Sequence, residues 1–166
     1  MPKCFVGIDV GMKGSVAVID EQGTCIKVFD MPLNEKLVDA ENLTCLLVEA
    51  TEGYDEVIAC IERPEAFGGG KHSLMSLGRS FGIAYGVCAA LGFECHPTPP
   101  SSWKRNMGLS SEKEESIDLC KKLIPTLNLL PPRCRVEKHD RAEAGLLAYY
   151  IKDIHYITLN NITRDL

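Results

Sequence analysis

The sequence predicts an α/β fold built on a mixed five-stranded sheet, with its first three strands antiparallel and helices flanking it. Two observations lead to this prediction. Three short apolar segments follow one another with only glycine-containing turns between them, and the later strands alternate with segments of helical spacing. With 166 residues, of which 45% are hydrophobic and 25% charged, the chain has the size and composition of one soluble domain over residues 1–166.

The first half of the chain supplies four of the five strands. The segments "KCFVGIDV", "SVAVID" and "TCIKVFD" are joined by the turns "GMKG" and "EQG", which makes an antiparallel meander. A helix is expected over 39–51, where apolar residues recur at helical spacing and Asp39 is placed to cap the N-terminus. The run "EVIACIE", which ends in Glu62, is typical of a central strand buried on both faces.

The second half is mainly helical. A helix over 73–91 is followed by the strand "GFECHPT", the short helix "PPSSWKRNMG", the amphipathic helix "SSEKEESIDLCKKLI" with a serine N-cap, and the final helix "HDRAEAGLLAYYIKDI". The last dozen residues are expected to be weakly attached. Gly78, Gly82 and Gly86 recur at every fourth residue, which predicts a helix face that another backbone approaches, within the subunit or between subunits.

Composition limits the compartment and the partners. No apolar run approaches the roughly 18 residues that a membrane helix needs, so no membrane partner is expected. The start "MPKCFVG" lacks the layout of a signal peptide. The 8 cysteines are scattered without a CxxC pair, which favours buried reduced thiols over a zinc site. We expect the cytoplasm or another reducing compartment, in a bacterial or phage-infected cell, or an organelle if a targeting segment was trimmed.

Charge is distributed unevenly along the chain. The net charge is −5, but residues 1–65 hold 5 Lys/Arg against 13 Asp/Glu, whereas residues 66–141 hold 11 against 7. The middle segment is therefore able to present a basic face to phosphates. A mixed, solvated surface explains the same numbers, so charge alone does not choose between these interpretations.

Four carboxylates carry the functional prediction. Asp9 and Glu62 each end an apolar strand, and their side chains meet if these strands are neighbours in the sheet. Asp140 and Glu143, spaced i, i+3 in "HDRAEA", share one face of a helix. Turn formation and helix-dipole effects explain each acid singly. Together, however, four acids in one pocket repel one another unless cations are bound. Mg²⁺ is a suitable cation because it prefers oxygen ligands. Two such ions in one site support phosphodiester hydrolysis.

Several motifs occur in the order and at the intervals of a known family. They are "GIDVGMKGSVAVID", "IERPEAF", "LGRSFGIAYGVCAALGF", "PPSSWK", "SSEKEES" and "HDRAEA". Along nearly its whole length the chain resembles RuvC-type Holliday-junction resolvases of the RNase H-like superfamily, especially the branch with the monokaryotic chloroplast resolvase and related phage enzymes. The resemblance implies an RNase H-like fold, a homodimer, two Mg²⁺ per active site with Mn²⁺ as a substitute, and symmetric incision of four-way DNA junctions.

The resemblance also assigns metal ligands. Asp9, Glu62, Asp140 and Glu143 match the metal-binding acids of the family. Family members have either Asp or His at the penultimate acid position, and this chain has both in sequence. We favour Asp140 as the ligand, with His139 as a possible ligand or proton shuttle.

Basic and aromatic residues are assigned to DNA in the same way. Lys104 and Lys113 correspond to basic residues beside the scissile phosphate, although each is also explained as a solvated surface lysine. Phe67 corresponds to an aromatic residue that enters the opened junction, where stacking on unpaired bases is a sensible use; a loop anchor is the alternative. The expected DNA contacts are Phe67, Lys71, Arg79, Lys104, Arg105 and Lys113.

Other functions of the same fold remain to be weighed. The segment "DVGMKGSVAVID" also resembles the phosphate loop of sugar kinases, actin and related ATPases, but these need a second domain for which 166 residues leave no room. A nuclease acting on an RNA/DNA hybrid or a flap is an alternative. A non-catalytic nucleic-acid-binding relative is another, and it would be expected to lack one or more of the acids.

Overall fold

The structure, a computed structural model, describes residues 1–65 and 70–164, with side chains up to residue 161. The strands are β1 (Lys3–Asp9), β2 (Ser15–Asp20), β3 (Cys25–Asp30), β4 (Leu33–Asn34), β5 (Leu37–Val38), β6 (Glu56–Glu62) and β7 (Glu94–Thr98). The helices are α1 (Ala40–Ala50), α2 (Lys71–Ala90), α3 (Pro100–Asn106), α4 (Lys113–Leu123) and α5 (His139–Arg164).

The main sheet has the strand order β3-β2-β1-β6-β7. Strands β1, β2 and β3 pair antiparallel, whereas β6 pairs parallel with both β1 and β7. This arrangement confirms the predicted mixed five-stranded sheet. The short hairpin of β4 and β5 forms a separate two-stranded sheet that the sequence analysis did not predict.

Two hydrophobic cores lie on the two faces of this sheet. Helix α5 packs on β1 and β2, with α4 against it, around Phe5, Trp103 and Leu147. On the other face, α1 and α2 cover a second core that includes Val6 and Leu43. Alternating strand residues point to opposite faces, so a strand covered on both sides must be apolar throughout. This explains the continuous apolar runs of β1 and β6.

Gly7 sets the distance between β1 and α5. A Cβ atom at this position would collide with backbone atoms of Ala144 and Ala148, so only glycine permits the observed contact between the two elements. Gly7 lies two residues before Asp9 in β1, and Ala144 lies one residue after Glu143 in α5. It brings the first turns of α5 close to the end of β1.

The predicted glycine stripe on α2 has a different environment. Nothing lies within 4 Å of a Cβ atom built at Gly78, Gly82 or Gly86. A close backbone approach at these glycines is therefore not found within the described part of the subunit. The alternative that the sequence left open, an approach between subunits, remains a prediction.

The ends of the helices confirm one predicted cap and correct another. The Asp39 carboxylate accepts a hydrogen bond from the Asn42 N–H at 3.0 Å and caps α1, as predicted. The serine N-cap predicted for α4 is wrong, because Glu112 is the N-cap residue and makes no side-chain cap bond. Ser110 instead donates its N–H to the Glu115 carboxylate at 2.7 Å, so the glutamate reaches back to satisfy the loop before the helix.

The expectation that the last dozen residues are weakly attached is wrong for His155 and Tyr156, whereas residues 157–161 are exposed. Helix α5 continues to Arg164, and the Tyr156 hydroxyl donates a hydrogen bond to the Glu21 carboxylate at 2.8 Å. The His155 and Phe5 rings are 5.8 Å apart, which adds an aromatic contact. Long-range contacts with the sheet, which local sequence patterns do not reveal, hold this part of the helix in place.

The cysteines agree with the prediction of reduced thiols. All eight are free, and Cys4, Cys60, Cys88 and Cys120 are buried. Burial raises the pKa of the Cys60 thiol to about 12, so this group is uncharged at neutral pH. Among the described residues, no helix combines the length and apolar character required to cross a membrane.

Candidate active site

Asp9 and Glu62 are the last residues of neighbouring parallel strands. The register pairs Ile8 of β1 with Ile61 of β6, so the two acids come next on adjacent strands at the same edge of the sheet. Asp9 is only 7% exposed. The adjacency on which the sequence analysis depended is therefore present.

Helix α5 supplies the other two acids. Asp140 and Glu143 lie in its first turns, beside the close contact that Gly7 makes with the helix backbone. The Glu143 side chain is buried, and the His139 Nε2 atom lies 3.2 Å from Asp140 Oδ1. We call Asp9, Glu62, Asp140 and Glu143 the acid cluster.

Electrostatics confirm that the acid cluster is close-set. Burial raises the pKa of Asp9 well above its ordinary value, and the nearby carboxylates of Glu62, Glu143 and Asp140 raise it further, whereas the Lys104 ammonium opposes them. Burial likewise raises the pKa of Glu62, in part offset by a hydrogen bond from Trp103. The carboxylates of Glu62, Glu143 and Asp140 thus disfavour ionisation of Asp9, which is the condition that a bound cation relieves.

Two side chains of α3 contact the acid cluster directly. The Trp103 Nε1–H donates a hydrogen bond to Glu62 Oε2 at 2.9 Å. The Lys104 Nζ–H donates to Glu143 Oε1 at 2.7 Å, an ion pair between largely buried side chains. From α4, the Ser116 hydroxyl donates to the same Glu143 oxygen at 3.4 Å.

The sequence analysis identified Lys104 but not Trp103 or Ser116. Trp103 immediately precedes Lys104, yet helical spacing alone places consecutive residues about 100° apart and gives no sign that both reach the same site. The contacts join segments that are 41 and 27 residues apart in sequence, so only the tertiary fold reveals them.

The remaining predicted DNA contacts lie outside this cluster. Lys113 is an exposed residue at the start of α4, one turn before Ser116 and so on the same side of the helix. Lys71 and Arg79 on α2 and Arg105 on α3 are also exposed. In the part of the chain that the structure describes, none of these four forms an ion pair with the acid cluster. Phe67 lies outside the described residues.

Asp30 is a fifth acid near the site, but its oxygens are engaged. It ends β3 opposite Ser15, which itself lies opposite Asp9. Its carboxylate accepts hydrogen bonds from Arg141 Nε at 2.7 Å and from Lys138 Nζ at 3.2 Å. Partial burial raises the pKa of Asp30, but these two cations outweigh it and lower the pKa overall. Asp30 therefore ties β3 to the start of α5 and has little capacity left to bind a metal ion.

The donor set fits a divalent metal ion by its chemistry. The acid cluster offers only carboxylate oxygens, which Mg²⁺ prefers. Over residues 1–65 and 70–161, no three acidic, histidine or cysteine side chains already form a group that could hold a metal ion. Glu62 and Glu143 direct oxygens to Trp103 and Lys104 instead.

A cavity opens beside the acid cluster. It has a volume of about 550 Å³ and lies between the β1–β2 turn and the segment that leads into α5, with Asp140 in its wall. Lys13 and Arg135 also line it, and both are exposed. Neither is ion-paired to an acid of the described chain, so both charges are available to an anionic ligand. The sequence analysis did not single out these two residues.

Comparison with known proteins identifies the fold. The chain is similar to RuvC of T. thermophilus in complex with a Holliday junction substrate, at 14% identity and a TM-score of 0.63, over 95% of this chain and 96% of that one. A second Thermus thermophilus RuvC structure gives 14% identity and a TM-score of 0.62, over 93% of this chain and 97% of the other.

A eukaryotic structure agrees. The yeast mitochondrial Holliday junction resolvase Ydc2 shares 16% identity with a TM-score of 0.52, over 97% of this chain and 83% of that chain. No protein-family model and no curated protein matches the sequence. The protein has the RuvC-type, RNase H-like fold, as the sequence resemblance implied.

Proposed function

We propose that this protein is a structure-selective DNA endonuclease that resolves four-way junctions by symmetric phosphodiester hydrolysis. The observation that carries the proposal is the acid cluster, in which carboxylates from a neighbouring strand and from α5 raise the pKa of the buried Asp9 in a RuvC-type fold. Buried acids that repel one another stabilise nothing by themselves, so their convergence favours a site that binds cations.

Mg²⁺, or Mn²⁺ in its place, would be held by Asp9, Glu62, Glu143 and Asp140, with His139 placed beside Asp140 to hold a proton or act as a substitute ligand. When bound, a pair of such ions would supply water activation and charge stabilisation for phosphodiester hydrolysis. The strands and α5 hold their carboxylates on rigid elements, which limits the reorganisation needed during the reaction.

Lys104 supplies the positive charge nearest to the reacting phosphate. Its ammonium group already lies within the acid cluster, bonded to Glu143. A cation in this place stabilises the negative charge that grows on the phosphate oxygens in the transition state. Lys113 is exposed one turn before Ser116, which contacts Glu143, and we propose that it approaches the phosphate from α4.

The DNA strand would enter along the cavity beside Asp140. Lys13 and Arg135, which line it, would offer charges to the phosphates on either side of the cut. Exposed Lys71, Arg79 and Arg105 would contact more distant phosphates. We keep Phe67 as the proposed base-stacking residue.

A homodimer would match two active sites to the two symmetric cuts that a four-way junction requires. The face of α2 that carries Gly78, Gly82 and Gly86 is open in the subunit, and Met75, 65% exposed, adds apolar surface to the same helix. We propose that a second copy of the chain covers this face.

The test is cleavage in Mg²⁺ of a labelled four-way junction, beside a linear duplex and an RNA/DNA hybrid of matched sequence. We expect paired nicks at symmetric positions in the junction, little cutting of the other two substrates, and none by an Asp9→Asn control. Preferential cutting of the hybrid or of a flap would favour the alternative nuclease. Tight junction binding without cleavage in Mg²⁺ or Mn²⁺ would indicate the non-catalytic relative.

A further inference from the structure

Trp103 occupies an unusual place for a core aromatic residue. Its side chain is fully buried, and its indole N–H donates to Glu62 Oε2 at 2.9 Å. A buried indole N–H needs an acceptor, for which any backbone carbonyl would serve. Here the acceptor is a carboxylate of the acid cluster. When Glu62 is ionised, the bond is charge-assisted and so stronger than one to a neutral oxygen.

Helix α3, which carries Trp103, is itself tied to the strand that carries Glu62. Three residues after the end of β6, Glu65 accepts hydrogen bonds from the Ser101 N–H at 3.1 Å and from the Ser101 hydroxyl at 2.8 Å. The Ser101–Glu65 pair is therefore a second link between α3 and the end of β6, close to the Trp103–Glu62 bond. This arrangement restricts rotation of the Glu62 carboxylate and leaves Oε1 free of the indole.

We propose that Trp103 is a positioning residue that orients Glu62 for divalent-cation binding, and that its indole reports directly when the cation is bound. The inference deepens the proposed nuclease function and rests on it. Partners that orient a metal ligand in this way contribute about 10–100-fold to metal affinity or activity.

The chain offers an unusually clean readout, because Trp103 is its single tryptophan. Indole emission responds to charge near the ring, so neutralising the Glu62 carboxylate with a cation alters the emission of this one residue. The Lys104 ammonium, 5.3 Å from the indole centroid, is a second charge whose movement would be recorded. No other indole contributes to the signal.

The experiment titrates Mg²⁺ into the full chain without DNA and follows tryptophan emission and binding heat in parallel. We expect a saturable emission change whose midpoint equals the calorimetric midpoint. In Trp103→Phe, which keeps a ring but removes the N–H donor, the half-saturating Mg²⁺ concentration should rise about 10–100-fold.

Phe5→Leu is the matched control, because it removes volume from the same core at the opposite end of β1. It is expected to lower the melting temperature without changing Mg²⁺ affinity. If Trp103→Phe does not fold, the wild-type emission titration decides alone.

The proposal is overturned if calorimetry detects Mg²⁺ binding while the emission stays constant, or if folded Trp103→Phe binds Mg²⁺ as tightly as wild type. It is also overturned, together with the proposed function, if the wild type binds no Mg²⁺. Matching midpoints in a protein that cuts no junction would sustain the role of Trp103 and refute only the nuclease.

Discussion

The Lys104 ammonium lies 2.7 Å from Glu143 Oε1 and places a cation inside a group of four acids. The pair joins α3 to α5, and Lys104 is the only cation among the causes that shift the pKa of Asp9 within the described chain. The lysine thus offsets part of the repulsion in the metal-free site. In the proposed mechanism, a metal ion that competes for Glu143 would release the ammonium group to a phosphate oxygen.

Replacing this lysine should affect the rate more than the binding. In Lys104→Ala we expect cleavage of a four-way junction to slow about 100-fold or more, because one lost donor at a developing charge has this effect. Junction affinity, which depends on many phosphate contacts, should change far less. Single-turnover rates and gel-shift affinities measure the two effects separately.

In Lys113→Ala, too, we expect the cleavage rate to fall while the affinity for the junction changes little. Lys27→Ala is the control, since Lys27 is paired with Glu49 on β3 and α1 and should leave both quantities unchanged. Wild-type rates for both Lys104→Ala and Lys113→Ala would show that these side chains do not approach the phosphate.

Removing a carboxylate from the acid cluster should abolish cleavage and keep the fold. Asp9→Asn and Glu62→Gln each preserve side-chain shape while removing one charge and one anionic ligand. We therefore expect the cleavage rate to fall by more than the roughly 100-fold caused by loss of a residue that orients a metal ligand. Without metal, both variants should melt no lower than wild type, because burial and repulsion disfavour the ionised acids. Both should still bind the junction.

Glu52→Gln, at an exposed acid away from the site, is the control for these variants. An unfolded metal-free Asp9→Asn protein would make Asp9 a structural residue only, and near-normal cleavage by it in Mg²⁺ would remove it from the catalytic site.

Divalent cations should stabilise the protein against heat. At about 100 times the dissociation constant, Mg²⁺ binding to the folded state contributes about 2.7 kcal/mol. In a chain of this size that raises the melting temperature by about 5–10 °C. Scanning calorimetry with Mg²⁺ and with chelator measures the shift. A shift of equal size in Asp9→Asn would mean that the cation binds elsewhere.

The ion pair between Asp30 and Arg141 should produce a pH-dependent stability difference. The pKa of Asp30 is lowered from its ordinary value of 3.8, so its contribution to stability is present above that pH and is lost as pH falls through the folded-state pKa. Asp30→Asn should be less stable than wild type at pH 7 because it leaves the buried Arg141 charge with weaker partners. Since the Asp30 side chain is 39% exposed, solvent screening limits the loss to about 1 kcal/mol.

Urea unfolding at pH 7 and at a series of pH values falling below 3.8 measures this difference, which should shrink as the pH falls. A difference that is independent of pH would show that the loss comes from packing and not from the ionised pair.

Larger residues on the glycine face of α2 should be compatible with folding of the subunit but should weaken the proposed dimer. Nothing lies within 4 Å of a Cβ atom at Gly82, and replacing an interior helix glycine stabilises a helix by about 0.5–1 kcal/mol. Gly82→Leu should therefore retain the fold while weakening the proposed dimer. Light scattering across micromolar concentrations distinguishes the two states. Cys45→Leu, on the exposed side of α1, is the control, and an unchanged dimer in Gly82→Leu would place the interface elsewhere.

The sequence by itself determined the strands and the positions of the acids along them. Apolar runs that end in Asp9 and Glu62 are local signals, because a strand buried on both faces must be apolar until it reaches an edge. The spacing of Asp140 and Glu143 likewise follows from helix geometry. The mixed sheet and the helix over Ala40–Ala50 with its Asp39 cap were predictable for the same reason.

Tertiary structure alone decided which residues meet these acids. Trp103 reaches Glu62, and Arg141 reaches Asp30, across 41 and 111 residues of sequence, and no local period encodes such contacts. The sequence also drew attention to the wrong glycines for packing within the subunit. Among the described residues, no atom lies within 4 Å of a Cβ atom built at Gly78, Gly82 or Gly86, whereas Gly7 makes the tight contact. Close approach depends on which element crosses a residue and not on how often glycine recurs.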